Sequence, residues 1–324
     1  MSELTMVEAL NHGLRDAMRR DPNVLLLGED VGRVGGVFRV SDGLLEEFGA
    51  GRVIDTPLSE GGLVGTAIGM AMHGLRPIAE IQFADFIYPA FDQLVNEAAK
   101  MRYRSGGQLS VPLVVRTPYG GGIKGGHYHS QSPEAYFTHT AGLKVVCPSN
   151  PRDAKGLLLA AIDDPDPVLF FEPKRIYRAI RDEVPEDDAR VPLGSAEIVR
   201  EGEDVTCVAY GAMIYEALAA IDEVSREGVS VELVDLRTLS PLDLETLTQS
   251  VNKTGRVVVV HEAPLTAGFG AELVASITER CFYALEAPPR RVTGFDTPFP
   301  YTREQDYLPL ARRIAPALRQ VMED

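Results

Sequence analysis

The sequence predicts an α/β protein built in two units, and three observations carry that prediction. Short apolar runs alternate with helical patterns through the first half of the chain, the signature of a largely parallel sheet. A compact strand, helix and strand pattern starts again at Val205. Between them, from Glu172 to Asp204, the chain turns charged and proline-bearing around Glu183-Val184-Pro185-Glu186-Asp187-Asp188, which reads as a surface linker. The expected organisation is a first unit at 1–173, a linker at 174–204 and a second unit at 205–324. Length agrees, because 324 residues exceed the roughly 250 to 300 at which one core stops growing.

The elements follow in order. Thr5-Met6-Val7-Glu8 is a capping-box pattern, and Met6, Leu10, Leu14, Ala17 and Met18 then recur at helical spacing up to Asp21-Pro22. Val24-Leu25-Leu26-Leu27, closed by Gly28-Glu29-Asp30, reads as a strand buried on both faces and ending at a functional edge. The same pattern marks Arg52 to Asp55, Pro77 to Ile81, Leu113 to Arg116, Lys144 to Cys147 and Val168 to Phe171. Gly61 to Ala71 is apolar or small on every face and is expected as a helix buried all round. Its glycines at 61, 65 and 69 share one side, which suits close packing within the domain or a subunit contact. In the second unit, strands are expected at Val205 to Ala209, Ser230 to Val234 and Arg256 to Val260, with a helix from about Ile214 to Glu227. No internal repeat is present.

Composition narrows the function classes. A net charge of -15 without clustered Lys and Arg argues against nucleic acid and for basic partners. The longest apolar run, Gly61 to Met72, falls short of the roughly 20 residues a membrane span requires. Cys147, Cys207 and Cys281 have no metal-ligand or redox spacing and read as buried thiols of a reducing cytoplasm. Met1 to Thr5 carries no pattern of an export signal.

Three stretches carry chemistry. Gly120-Gly121-Gly122-Ile123-Lys124-Gly125-Gly126 offers few side chains to a core, so it reads as backbone that bends sharply or approaches something closely. It leads to His127 and His129. Together with His139 and Cys147 these could nominally hold zinc, but the spacing matches no zinc pattern, and Lys124 precedes Gly125 rather than the Ser or Thr of a phosphate loop. A loop histidine beside Gly126, Ser130 and Gln131 is placed either as a structural residue or to transfer protons near neutral pH. Glu60 follows a strand end and opens an uncharged helix. Desolvation there would raise its pKa while the helix dipole opposes the change, so a proton-sharing role and a purely structural one both stand. Phe86, in Glu80-Ile81-Gln82-Phe83-Ala84-Asp85-Phe86, either feeds the core or offers a flat face to a cofactor ring. Gly268-Phe269-Gly270 lacks the third glycine of a dinucleotide turn.

These stretches also carry a family resemblance. Gly28-Glu29-Asp30-Val31, Asp55 to Glu60, Gly74 to Pro77, Tyr103 to Gly107, His129-Ser130-Gln131-Ser132-Pro133-Glu134-Ala135 and Arg291 to Asp296 resemble, in order and over nearly the whole chain, the beta subunit of the thiamine-diphosphate-dependent 2-oxo acid dehydrogenases. The His-Ser-Gln-Ser-Pro-Glu-Ala segment and Ile81 to Asp85 look most like the branched-chain (2-oxoisovalerate) enzyme. The resemblance implies a pyrimidine-binding, transketolase-like first domain and a transketolase C-terminal-like second domain. It implies that Glu60 bonds N1' of the aminopyrimidine so that the cofactor can lose its own C2 proton, with Phe86, Glu29, Leu58, Ser59 and Gln82 around the ring. His129 would handle protons during acyl transfer to a lipoyl group, and Phe83, Phe86, Tyr128, His129, Ser130 and Gln131 would face the substrate.

The family's Gly-Asp-Gly segment for the diphosphate and magnesium is absent, which implies an alpha subunit that completes the site in an alpha2beta2 heterotetramer. Further implied partners are a small 2-oxo acid and the lipoyl and subunit-binding domains of a dihydrolipoyl transacylase. A potassium-type site at Leu113, Ala161, Ile162, Asp164 and Asp166 is implied too, although Asp163-Asp164-Pro165-Asp166 departs from the family pattern. A pyruvate or acetoin dehydrogenase subunit, and a non-catalytic assembly module that docks the transacylase core, remain as alternatives.

Overall fold

The computed structural model describes residues 1–187 and 189–324, so Asp188 of the acidic run lies outside the described residues. Its largest sheet has seven strands, in the order Thr238–Ser240, Lys144–Val146, Val168–Pro173, Val114–Tyr119, Arg76–Glu80, Val24–Gly28 and Val53–Asp55. Every neighbouring pair is parallel except the first. Register is set by buried side chains: Leu26 lies opposite both Val53 and Ile78, and Ile78 opposite Val114. Such strands bury both faces, which is why they appear in the sequence as unbroken apolar runs.

A second sheet of five strands runs Arg290–Gly294, Val257–Pro264, Val205–Ala209, Val231–Asp235 and Glu197–Arg200, with only the last antiparallel. The capping box at the first helix, Met6–Arg20, is formed: Glu8 N donates to Thr5 Oγ1 at 3.3 Å, and Thr5 N to the Glu8 carboxylate at 2.7 Å. The buried face of this helix, Leu10, Leu14, Ala17 and Met18, joins a core that continues into the second unit through Val205, Leu233 and Leu318.

Two departures from the sequence reading stand out. The charged stretch between the units is built in rather than loose. Ile176 and Tyr177 are buried, Arg181–Val184 pairs with Ser2–Thr5, and Glu197–Arg200 closes the second sheet. The helix Glu60–Met72 is not buried all round: Leu63, Val64, Ala67, Ile68 and Ala71 face inward, while Gly62, Gly65, Thr66 and Gly69 are exposed. Small residues look the same to a periodicity argument whether they face a core or solvent. Close approach occurs at Gly61, where a Cβ would sit 3.0 Å from the Pro89 carbonyl, whereas at Gly69 nothing lies within 4 Å.

Candidate active site

In a parallel sheet the strand ends that carry function lie along one edge, and four of them meet here. Val24–Gly28 leads into Glu29, Val53–Asp55 into Leu58, Ser59 and Glu60, and Arg76–Glu80 into Gln82, Phe83 and Phe86. Val114–Tyr119 leads into the glycine-rich loop and His129. Glu60 is the first residue of its helix, so its carboxyl lies at the positive end of the helix dipole. Glu29 lies within electrostatic reach of it. Burial first, then the charges of Glu60 and Asp30, raise the Glu29 carboxyl above its ordinary value. Gln82 donates to Asp30 at 3.5 Å, and Leu58 is 77% exposed at the rim.

The aromatic side of the edge is tightly defined. The His129 ring stands edge-on to Phe83 at 4.5 Å and to Phe86 at 5.4 Å, and the two phenylalanines lie 5.7 Å apart. His127 is elsewhere: its ring lies 4.1 Å from that of Tyr128, and both residues are exposed. Ser130 is buried, and the Gln131 side chain is engaged on both sides, accepting from Tyr88 at 3.1 Å and donating to the His127 carbonyl at 2.8 Å. Of the residues expected to face a substrate, Gln131 therefore works as a staple of the loop.

The loop needs its glycines. Gly122 has φ +105°, and a Cβ there would meet Arg175 at 2.6 Å; Gly126 has φ +64°, and a Cβ would meet Tyr301 at 2.6 Å. A layer of charge lies beneath. Arg116 is buried between Glu172, at 2.7 and 2.9 Å, and Glu80, at 2.7 Å. Lys174 is buried as well, which pulls its ammonium down to about 8, and it donates to the Gly120 carbonyl. Glu262, whose carboxyl burial raises, accepts from Gly121 N at 2.8 Å. It also lines a cavity of about 360 Å³ with Ser130, Gln131 and Tyr307. Sequence reasoning missed Arg116, Lys174 and Glu262 as parts of the site, because each sits inside or just after an apolar strand and signals only as an isolated charge.

Metal readings fare poorly. No group of three or more His, Cys, Asp or Glu side chains that could hold an ion exists among the described residues, so His127, His129, His139 and Cys147 do not converge. Oxygens of the residues implied for potassium accept hydrogen bonds from the chain itself. The Lys144 ammonium sits on both Asp164 oxygens at 2.6 and 2.5 Å, and Arg102 on Asp166 at 2.5 Å. Arg76 holds the Ile162 carbonyl at 2.8 Å, Val168 N the Leu113 carbonyl at 2.9 Å, and Asp164 N the Ala161 carbonyl at 3.3 Å. Only at Asp164 are both carboxylate oxygens taken, by Lys144; the Leu113, Ala161 and Ile162 carbonyls each keep a second lone pair. The chain's own cations supply the positive charge there.

Comparison with known proteins gives this geometry its family. Residues 2–179 match the model of the transketolase pyrimidine binding domain, and residues 194–314 that of the transketolase C-terminal domain. The mitochondrial 2-oxoisovalerate dehydrogenase subunit beta of Dictyostelium discoideum is 56% identical over 95% of this chain and 83% of its own length. The chain belongs to the transketolase-like beta subunits of the 2-oxo acid dehydrogenases. Acyl specificity divides its relatives, since the pyruvate dehydrogenase E1 component subunit beta of Acholeplasma laidlawii is 50% identical over 99% of this chain and 98% of its own. A solved structure described as a split gene transketolase, inactive beta4 tetramer, shares the fold, with TM-score 0.79 at 23% identity over 99% of both chains. No helix among the described residues is long and apolar enough to cross a membrane.

Enzymes of this family depend on thiamine diphosphate. The donor set at the sheet edge fits its aminopyrimidine end: a carboxylate at a helix start, a second carboxyl raised by burial and the half-buried rings of Phe83 and Phe86 along the same edge. For a diphosphate the same edge is unsuited. The charges that act on Glu29 there are those of Glu60 and Asp30, both negative.

Proposed function

We propose that this chain is the beta half of a branched-chain 2-oxo acid dehydrogenase, active with an alpha subunit and thiamine diphosphate, which oxidatively decarboxylates 3-methyl-2-oxobutanoate and its analogues and passes the acyl group to the lipoyl domain of a transacylase. The observation that carries the reading is the meeting of Glu60, Glu29, Phe86 and His129 at one sheet edge that is acidic and lacks a cradle for the diphosphate. When bound, the cofactor supplies the electron sink for loss of carbon dioxide. Glu60 would hold a ring nitrogen of the aminopyrimidine and keep its proton in place, with Glu29, Leu58, Ser59 and Gln82 around it and the Phe86 ring against its face. His129, half-buried against Phe83 and Phe86, would move a proton as the lipoyl group takes the acyl unit, beside Tyr128 at the rim. Magnesium and the diphosphate fall to the alpha subunit in an alpha2beta2 assembly. The cytoplasm suits the three free, buried cysteines.

The experiment is kinetic. Co-expressed with its alpha subunit, the enzyme is assayed with 3-methyl-2-oxobutanoate against pyruvate, both through the complete lipoyl-dependent reaction and with an artificial electron acceptor that reports decarboxylation alone. A higher kcat/KM for the branched substrate supports the reading. A preference for pyruvate would move it to the second reading, a pyruvate dehydrogenase subunit, which the 50% identity to the Acholeplasma protein favours. Glu60→Gln should depress both assays by about two decades, the scale of a lost acid-base group. His129→Ala should abolish the lipoyl-dependent assay and spare part of the other. Variants that assemble yet keep full activity in both would leave the chain an assembly module.

A further inference from the structure

The loop that carries His129 leaves the sheet after Tyr119 and folds back on its own start at Gly120, and charged side chains hold that neck. Gly120 N donates to the Gln131 carbonyl at 3.0 Å, closing the loop. Gly120 O accepts the Lys174 ammonium, while Ser130 N and Gln131 N both donate to Asp85 Oδ1, at 3.2 and 3.1 Å. Asp85 and Lys174 are 7% and 4% exposed, so both charges sit inside the protein. Burial raises the Asp85 carboxyl, and the Lys174 charge acts against that rise.

Asp85 belongs to the turn Ala84–Phe86, which also carries Phe86. Its side chain therefore ties the ring-bearing turn to the two residues that follow His129. Lys174 does the same from the other side of the neck: it bonds Gly120, and its ammonium lies 5.9 Å from the centre of the Phe83 ring. Three groups, Phe83, Phe86 and His129, thus have their relative placement set by one buried carboxylate and one buried ammonium. One carboxylate oxygen that accepts from two successive N–H groups pins the loop where it would otherwise open.

We propose that Asp85, with Lys174 behind it, is a positioning residue that fixes His129 against the Phe83 and Phe86 rings. The proposal rests on the reading of His129 as the proton-transfer group, and its test separates the two. Asp85→Ala, Asp85→Asn and Lys174→Met are made in the enzyme co-expressed with its alpha subunit. Hydrogen exchange of the segment 120–131 is followed by mass spectrometry beside the lipoyl-dependent and acceptor-linked assays.

Losing both N–H bonds to a charged acceptor should raise exchange of the segment about tenfold or more, with the strands Val24–Gly28 and Val205–Ala209 unchanged. Lipoyl-dependent turnover should fall by a similar factor, the acceptor-linked rate should change less, and Asp85→Asn, which keeps an acceptor oxygen, should recover most of both. Unchanged exchange of 120–131 in Asp85→Ala overturns the proposal, as does an equal loss in both assays without recovery in Asp85→Asn. If Asp85→Ala does not assemble, Lys174→Met reads the same neck through Gly120, and unchanged exchange there overturns the proposal equally. If His129→Ala fails to separate the two assays, the reading of His129 falls, and raised exchange in Asp85→Ala still supports the clamp.

Discussion

Arg116→Met tests how far the buried charge layer supports the active edge. Arg116 is 1% exposed and bridges Glu172 and Glu80, which are 0% and 6% exposed, through three contacts of 2.7 to 2.9 Å. Burial works against its charge, and the two carboxylates overcome that, holding it above the ordinary arginine value. Methionine fills most of the volume but leaves both acids without their cation, and Tyr177 alone continues to donate to Glu172. Breaking a buried pair from one side costs about 3 to 5 kcal/mol. The cost depends on pH. Burial already raises the Glu172 carboxyl against the pull of Arg116, so without the guanidinium it lies further above its unfolded value, the folded state binds an extra proton and the deficit shrinks as pH falls toward about 5. Glu80 lies opposite Arg116 in register, and its strand ends just before Gln82 and Phe83, so activity should fall with stability. Urea unfolding of parent and variant at about pH 7.5 and 5.5 measures both effects. A deficit below about 1 kcal/mol at the higher pH, or one equal at both, would refute the reasoning.

Three further outcomes are expected. Because the Lys144 ammonium holds both Asp164 oxygens, an alkali ion there would have to displace it, so thermal midpoints and activity should be equal in potassium, sodium and choline salts at one ionic strength; a potassium-specific rise in Tm would contradict this. His261 is buried without a well-aligned hydrogen bond at either ring nitrogen, and burial first, then Arg291, lowers it to about 4 against the weaker pull of the Ala263 backbone. The unfolded chain therefore binds the extra proton between about pH 6.5 and 4, and His261→Leu should remove about 3 kcal/mol of the acid-induced loss across that window; parallel stability curves would deny it. Gly126→Ala, at φ +64° and against Tyr301, should cost about 1 to 2 kcal/mol in local stability and lower the lipoyl-dependent assay more than the acceptor-linked one.

Much of the fold was legible because it is written locally. The capping box at Thr5 to Glu8 formed as read, and six apolar runs of the first unit became the parallel strands, since strands packed in a parallel sheet are mostly apolar. What escaped was non-local or unpatterned. Thr238–Ser240 returns from the second unit to pair antiparallel with Lys144–Val146, and three residues carry no period to announce it. Glu197–Arg200 alternates too little apolar side chain to be seen as a strand, yet it closes the second sheet against Val231–Asp235.

The site divides along the same line. Residues that present chemistry outward follow strand ends and glycine runs, and these leave marks in the sequence: Glu29, Glu60, Phe86 and His129 were all found that way or through family resemblance. Residues that hold the chemistry still leave none. Asp85, Lys174, Glu262 and Glu304 bond backbone groups at Ser130, Gly120, Gly121 and Lys124, which lie 45, 54, 141 and 180 residues away. A backbone N–H has no residue type, so no motif can record its partner. Only the fold brings the two together, and for that reason the placement of His129 is a property of both units rather than of the segment that contains it.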